Sequence, residues 1–304
     1  MGNRKSFFNQ FAKLATRFLY LITLICFSLG LFLLLLNVAS PLIPFRNPGI
    51  YSYYGDERMD TIYTYQETMV QIERMPDEGD EEYVRRLTEL ISNSISPYWY
   101  DEGLNTYRLR VPIWENYILW AYYFIEPERY SHYEFNDYRT AIERGIGLCS
   151  QYAIVASQIL ELNGIESSVL ALNGFVLTMA QIEDEWHIVD PEYNVVIPHT
   201  LEEVENNGNI VEYYYEDTWA PGFIVDLYTT PENNKVFENA VGYTGTTAVE
   251  FEDWAYTTIW TIPIYLMAPL TILKVITFLI KSSKGKKASI QIQEELSMTH
   301  ITED

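Results

Sequence analysis

Two long apolar stretches, one near each end, most constrain the fold of this 304-residue chain. Residues 18–45 contain no charged side chain, and a helix needs about 20 apolar residues to cross a bilayer. The second stretch contains Pro263 and Pro269, which spanning helices tolerate. The sequence therefore predicts transmembrane helices at 18–43 and 254–280. The alternatives are a cleaved signal peptide for the first and a buried or interfacial helix for the second.

Basic residues flank both stretches on the sides that face the chain ends. They are Arg4, Lys5, Lys13, Arg17, Lys281, Lys284, Lys286 and Lys287. Because basic residues beside a span mark its cytoplasmic end, residues 1–17 and 281–304 are predicted to be cytoplasmic. With this orientation, the segment from about residue 46 to residue 253 is predicted to be extracytoplasmic.

The acidity of the chain belongs to the segment between the two stretches. The formal net charge is -22, whereas residues 41–255 hold 38 acidic and 11 basic side chains, a net charge of -27. A duplex-binding surface needs a basic face, so no nucleic-acid partner is expected. We interpret the acidity first as a solubility device, and attraction of cationic partners or metal ions is the alternative.

Cysteine and histidine are too scarce for a disulfide scaffold or a metal centre rich in these residues. The two cysteines are Cys26 and Cys149, and there are four histidines. No cofactor is therefore predicted. Residues 46–253 contain no Asn-x-Ser/Thr sequon, which favours a bacterial or archaeal plasma membrane over a eukaryotic secretory route.

The middle of the chain shows helical patterns first and strand patterns afterwards. The predicted helices cover residues 56–75, 80–92, 111–125 and 153–162. The predicted strands cover residues 167–172, 175–182 and 186–190. This order indicates an α+β fold.

Cys149 is predicted at a loop-to-helix junction, after the glycine-containing loop of Gly145 and Gly147. Free backbone N–H groups and the helix dipole favour a thiolate at such a position, which is where a cysteine nucleophile belongs. The alternative is a buried, inert cysteine.

Three motifs resemble the transglutaminase-like core of the papain-type superfamily. They are the run from Gly145 to Ala153, the turn at Gly174, and the run Trp186-His-Ile-Val-Asp190-Pro191. The flanks at 112–117, 133–135 and 195–203 resemble those of bacterial cell-envelope relatives, so the resemblance covers about residues 80–235. It implies a helix carrying Cys149 packed on an antiparallel sheet, between the two transmembrane helices.

The resemblance assigns roles to single residues. Cys149 matches the catalytic nucleophile, and Asp190 matches the acid that orients a histidine. The histidine itself should follow Gly174, where this chain has Phe175. Because phenylalanine cannot transfer a proton, the catalytic set is vestigial, and Asp190 is free for a structural role at its strand end.

Other histidines are considered as substitutes. His187 should point away from Asp190, because side chains alternate along a strand. His132 or His199 remains open as a non-standard base, and His300 lies in the predicted cytoplasmic tail.

The sequence thus predicts a membrane-anchored, catalytically degenerate domain that acts in binding or scaffolding within a cell-envelope assembly. Envelope proteins or polysaccharide machinery are the expected partners besides the membrane. The alternative is an active thiol peptidase or acyltransferase that uses Cys149 with a non-standard base. The predicted segments are the cytoplasmic N-terminus 1–17, a first transmembrane helix 18–43, an external helical Tyr-rich region 46–136, a transglutaminase-like core 137–235, a tether 236–253, a second transmembrane helix 254–280 and a cytoplasmic tail 281–304.

Overall fold

A computed structural model describes residues 2–50, 63–98, 103–218 and 220–278. The chain divides into two compact units. One unit contains Met1–Leu42 with Thr257–Asp304, and the other contains Ile43–Tyr256. The predicted regions 46–136 and 137–235 therefore belong to one unit.

Helices are found along most of the described chain. Their bounds are α1 (Gly2–Ala39), α2 (Tyr65–Gln71), α3 (Asp80–Ser92), α4 (Tyr117–Tyr122), α5 (Pro127–Tyr130), α6 (Tyr138–Arg144), α7 (Cys149–Leu162), α8 (Leu201–Asn206), α9 (Gly208–Tyr215), α10 (Ile224–Tyr228), α11 (Ala240–Thr244), α12 (Thr246–Thr258) and α13 (Thr261–Phe278). The strands are β1 (Ser96–Pro97), β2 (Ile146–Gly147), β3 (Ser167–Leu172), β4 (Phe175–Ile182), β5 (Glu185–Asp190), β6 (Val195–Ile197) and β7 (Lys235–Phe237).

The first unit contains two helices that are long and apolar enough to cross a membrane, Lys13–Leu42 and Thr261–Phe278. They approach closely at Gly30, where an added Cβ would lie 2.8 Å from the carbonyl oxygen of Pro263. Asn37 lies on the same contact, and its side-chain amide donates a hydrogen bond to the carbonyl oxygen of Ile259 at 3.0 Å. A small residue and a paired polar side chain are typical of packed membrane helices.

The second apolar helix differs from the predicted span 254–280 at its start. Trp254 belongs to α12, which ends at Thr258, and the apolar helix begins only at Thr261. The predicted tail 281–304 lies outside the described residues.

The second unit is built on a five-stranded antiparallel sheet in the order β6-β5-β4-β3-β7. The predicted strands 167–172 and 175–182 are confirmed, and the third begins one residue earlier than predicted, at Glu185. Glu183 and Asp184 join β4 to β5 with φ of 50° and 69°. Positive φ at both loop residues is the requirement of a type I′ hairpin.

The two faces of the sheet carry different partners. On one face, Thr178 donates its hydroxyl hydrogen to the carbonyl oxygen of Ala153 at 3.0 Å, which fixes α7 against β4. On the other face, apolar side chains of β4 and β5 join residues of α9 and α10 in one buried core. Cys149, the first residue of α7, belongs to this core. The α+β architecture, with a Cys149 helix on an antiparallel sheet, is thus confirmed.

The N-terminal half of this unit is less regular than predicted. The helix 80–92 is confirmed. Of the predicted helix 56–75, residues 56–62 lie outside the described residues, and α2 ends at Gln71. In the predicted helix 111–125 only α4 forms, because the Asn116 side chain accepts the N–H groups that start a helix at residue 117.

Arg46 anchors the start of the second unit. Its guanidinium is buried and donates hydrogen bonds to the carbonyl oxygens of Tyr63 at 2.8 Å and Ser94 at 3.1 Å. Gly145 lies against it with φ of 70°, and an added Cβ there would overlap the guanidinium. Glycine is therefore needed at residue 145 for both its backbone conformation and its small size.

The predicted tether 236–253 is folded. Strand β7 pairs with β3, and α11 packs against α7, where the N–H of Ala240 donates to the hydroxyl of Ser157 at 3.2 Å. Glu252 of α12 is buried and accepts hydrogen bonds from the Tyr133 hydroxyl at 2.8 Å and the Asn136 backbone N–H at 3.1 Å. This segment completes the sheet edge and covers α7.

Candidate functional site

Cys149 occupies the position that the sequence predicts, at the first residue of α7. Its side chain is buried, with 8% of the residue exposed, and the backbone N–H of Val176 on β4 hydrogen-bonds to the sulfur. The thiol is thus held between the start of a helix and the start of a strand.

The N-terminus of α7 is capped from elsewhere in the chain. The preceding residue, Leu148, has no side-chain acceptor. The Glu134 carboxylate takes this role, because it accepts hydrogen bonds from the Ser150 hydroxyl and the Gln151 backbone N–H. A carboxylate here compensates the positive end of the helix dipole beside the sulfur.

The thiol is consequently held in its neutral form. Burial and, to a smaller extent, the nearby carboxylates of Glu192, Glu134 and Asp190 raise the pKa of Cys149 to about 12, against the opposing effect of the Val176 N–H. The helix start alone favours a thiolate, but desolvation and like charge outweigh it here.

Asp190 ends β5 and is almost fully buried, with 1% of the residue exposed. Its Oδ1 accepts the backbone N–H groups of Glu192 at 3.0 Å and Tyr193 at 3.3 Å, and its Oδ2 accepts the Tyr215 hydroxyl at 2.6 Å. Burial raises the pKa of Asp190 to about 6, and these three donors oppose the rise. The carboxylate is therefore engaged in holding the turn after β5.

Aromatic side chains occupy the surroundings of Asp190. Phe175 is buried at the start of β4, and its ring centroid lies 5.8 Å from that of Tyr193. The ring centroid of Tyr193 lies 6.0 Å from that of Tyr215. The hydroxyl oxygen of Tyr215 lies 3.0 Å from that of Tyr228. The hydroxyl of Tyr215 is thus a side-chain hydrogen-bond donor to Asp190, beside the two backbone N–H groups.

The described histidines are distributed around the unit. His187 pairs with Ala180, on the sheet face opposite to Asp190, as predicted. The Nδ1 of His199 lies 3.5 Å from a carboxylate oxygen of Glu203. His132 lines a pocket with Glu134, and its ring centroid lies 6.4 Å from that of Tyr98. The charged groups with the largest effects on the pKa of Cys149 are the carboxylates of Glu192, Glu134 and Asp190.

Glu192 is the least satisfied polar group of the site. The residue is 3% exposed, and within the described part of the chain neither carboxylate oxygen has a hydrogen-bond partner. Burial raises its pKa, and the charge of Asp190 raises it further. Among the charged groups, Glu192 has the largest effect on the pKa of Cys149.

A pocket of about 330 Å³ opens beside the capped end of α7. Its walls combine aromatic rings with polar groups, among them Tyr130, His132, Glu134 and Tyr243. Burial raises the pKa of Glu134 to about 7 and that of Tyr243 to about 12. Since Glu134 bonds Ser150, the pocket borders the turn that carries Cys149.

The structure places Cys149 at the start of α7, Asp190 at the end of β5 and Phe175 at the start of β4, whereas sequence reasoning missed the contacts of Glu134 and Glu192. The one available signal was a leucine at residue 148, directly before a helix start that therefore needs a cap from another segment. Within the described residues, no group of three or more His, Cys, Asp or Glu side chains is placed to hold a metal ion.

Comparison with models of protein families, with curated proteins and with solved structures found no match to this chain.

Proposed function

We propose that this chain is a two-span membrane protein that displays a transglutaminase-like, catalytically degenerate domain on the outer face of a bacterial or archaeal plasma membrane. Its role is binding or scaffolding within a cell-envelope assembly. Both termini lie in the cytoplasm, and residues of about 46–253 lie outside. The expected partners are the membrane and an envelope protein or polysaccharide machinery.

The two apolar helices support the membrane part of the proposal. Only 17% of the apolar window in the first and 11% of that in the second is buried, unlike the core helix of a soluble domain. Asn37, near the end of the first helix, donates a hydrogen bond to Ile259, so this helix packs against the rest of its unit. This packing favours a retained membrane anchor over a cleaved signal peptide. The basic residues at both chain ends favour the orientation.

The neutral state of the Cys149 thiol is the main support for a catalytically degenerate site. A thiol nucleophile needs a thiolate or an adjacent base, and the carboxylates around Cys149 oppose the thiolate. Phe175 stands at the position of the base, and Asp190 is already bonded to Tyr215. Loss of one member of a catalytic unit removes most of its joint rate advantage.

The pH profile of Cys149 alkylation tests this proposal. We use the full chain with Cys26→Ser, so that Cys149 is the one thiol, and the same protein in urea as an ordinary-thiol reference. The expected folded-state rate at neutral pH is far below the urea rate and still rises at alkaline pH. A fast rate that does not change with pH near neutrality would show a thiolate and contradict the proposal.

The buried Glu192 carboxyl, which has no hydrogen-bond partner among the described residues, favours an alternative function, a thiol enzyme with a carboxylate base. The substitution Glu192→Gln separates the two readings. If Glu192 only opposes the thiolate, its removal leaves the alkylation rate of Cys149 unchanged or faster. If Glu192 is the base, its removal slows the reaction.

The orientation is tested independently of the thiol. Tyr213 is exposed, with 71% of the residue accessible, so Tyr213→Cys supplies a label site in residues 46–253. A membrane-impermeant maleimide added to intact cells should label this variant. Labelling only after lysis would contradict the predicted orientation.

A further inference from the structure

Three asparagine–glycine pairs lie in the second unit, at residues 163–164, 173–174 and 207–208. Asparagine is a thermolabile residue, and a following glycine leaves its backbone nitrogen unhindered because glycine has no Cβ. In such a pair this nitrogen can attack the side-chain amide carbon of the asparagine. The reacting groups are the same at all three pairs, so differences in their reactivity come mainly from the structure.

Two of the pairs are held at helix ends by hydrogen bonds of the asparagine side chain. The side-chain amide of Asn163 donates to the carbonyl oxygen of Ile159 at 2.8 Å. Asn207 caps α9, where its Oδ1 accepts the backbone N–H of Asn209 at 3.3 Å. Because these contacts fix the amide group, attack by the glycine nitrogen requires that they open first.

The third pair is free of such contacts. Asn173 and Gly174 form the exposed two-residue turn between β3 and β4, where Leu172 pairs with Phe175. Among the described residues, neither the Asn173 side chain nor the Gly174 N–H has a hydrogen-bond partner. Gly174 has φ of 89°, and an added Cβ there would meet no atom within 4 Å. Exposed loop tips of this kind open at little free-energy cost.

We propose that Asn173 is the residue that deamidates while the second unit is folded. A bond forms between the Gly174 backbone nitrogen and the Asn173 side-chain carbon, and the carbon–nitrogen bond of the amide breaks. The amide nitrogen leaves as ammonia, together with the proton of the Gly174 nitrogen. Water then opens the resulting cyclic imide to aspartate or isoaspartate. Either product carries a new carboxyl group, and the reaction needs no oxidant or reductant.

The isoaspartate product alters the surroundings of Cys149. In isoaspartate the backbone passes through the former side chain, which lengthens the turn by one carbon atom. This turn sets the register of Phe175 at the start of β4, and the next residue, Val176, hydrogen-bonds its backbone N–H to the Cys149 sulfur. The contact between β4 and the thiol thus loosens slowly and irreversibly as the protein ages.

Peptide mass spectrometry of aged protein tests the site of the reaction. The full chain is incubated in mildly alkaline buffer with a neutral detergent, folded and in urea, and deamidation is followed at the three asparagines. In the folded chain Asn173 should react about tenfold faster than Asn163 and Asn207, whose hydrogen bonds must open first. In urea the three rates should converge.

Three results of this experiment would overturn the proposal. They are equal rates in the folded chain, a faster reaction at Asn163 or Asn207, and an Asn173 that stays intact in the folded chain. The same preference for Asn173 in urea would also overturn it, because the preference would then come from the local sequence.

Amide hydrogen exchange tests the effect on the Cys149 site. Aged parent protein should exchange the amides at the start of β4 several-fold faster than fresh protein. Asn173→Gln should not change with age, because the longer glutamine side chain cyclises far more slowly. Asn173→Asp is the matched control, since it adds the carboxyl group without lengthening the backbone, and it should exchange like the fresh parent. Unchanged exchange in an aged parent that contains isoaspartate would overturn the link to the thiol.

Discussion

The substitution Asp190→Asn should make the stability of the second unit less dependent on pH. Asp190 has a pKa of about 6 in the folded protein, against an ordinary value of 3.8. A raised carboxyl pKa means that the folded state binds the proton more tightly than the unfolded state. Its contribution to stability is therefore complete below pH 3.8 and is lost as the pH rises through 6.

The size of the effect follows from these two values. Each pKa unit corresponds to about 1.4 kcal/mol, so the full loss for Asp190 is about 3 kcal/mol, and most of it occurs between pH 4 and pH 7. Burial also raises the pKa of Glu134 and Glu192, so their contributions have the same sign. The difference between the parent and Asp190→Asn gives the share of Asp190 together with its effect on the neighbouring Glu192, which has the same sign.

Urea denaturation of the full chain in detergent, followed by tryptophan fluorescence at several pH values, measures this difference. Asparagine is matched in size and keeps an oxygen for the backbone N–H groups of Glu192 and Tyr193. The parent should lose stability from pH 4 to pH 7 more steeply than the variant, by about 2–3 kcal/mol. Equal slopes, or a parent that gains stability over this range, would refute the reasoning.

Three further predictions concern single residues, and one of them has a matched control variant. Phe175→His should raise the alkylation rate of Cys149 near neutral pH, and an unchanged rate in a folded variant would count against the alignment with the transglutaminase-like family. Gly145→Ala should lower the free energy of unfolding by more than about 2 kcal/mol, because it combines a left-handed backbone conformation with displacement of Arg46. The control Gly164→Ala, where φ is 80° and no atom lies near the added Cβ, should lower it by about 1 kcal/mol. Glu252→Gln should cost about 1–3 kcal/mol, because the carboxamide oxygen can replace Oε2 as acceptor for Tyr133 and Asn136, but its NH2 group cannot replace Oε1 as acceptor for the Asp137 backbone N–H. Urea denaturation measures both effects.

The strands and α7 could be predicted because their signals are local. Apolar patterns and a short acidic connection at residues 183–185 predict β4 and β5, and a glycine-containing loop before an apolar run predicts a loop-to-helix junction at Cys149. The same reasoning placed His187 on the far face of β5.

The features that set the chemistry of the site depend on contacts between distant segments. Glu134 reaches the helix start from 16 residues away, and Tyr215 reaches Asp190 from 25 residues away. The pairing of β7 with β3 likewise has no local signal. Helix α4 was overextended because the apolar pattern of residues 111–125 concealed the cap at Asn116.

The ionisation of one thiol tests the central claim most directly. The alkylation rate of Cys149 is measured against pH in the folded Cys26→Ser protein. The account predicts slow labelling at neutral pH and a rate that keeps rising toward alkaline pH, as expected for a thiol of pKa about 12. A rapid rate with a plateau around neutral pH would mean a stabilised thiolate and would contradict the degenerate site.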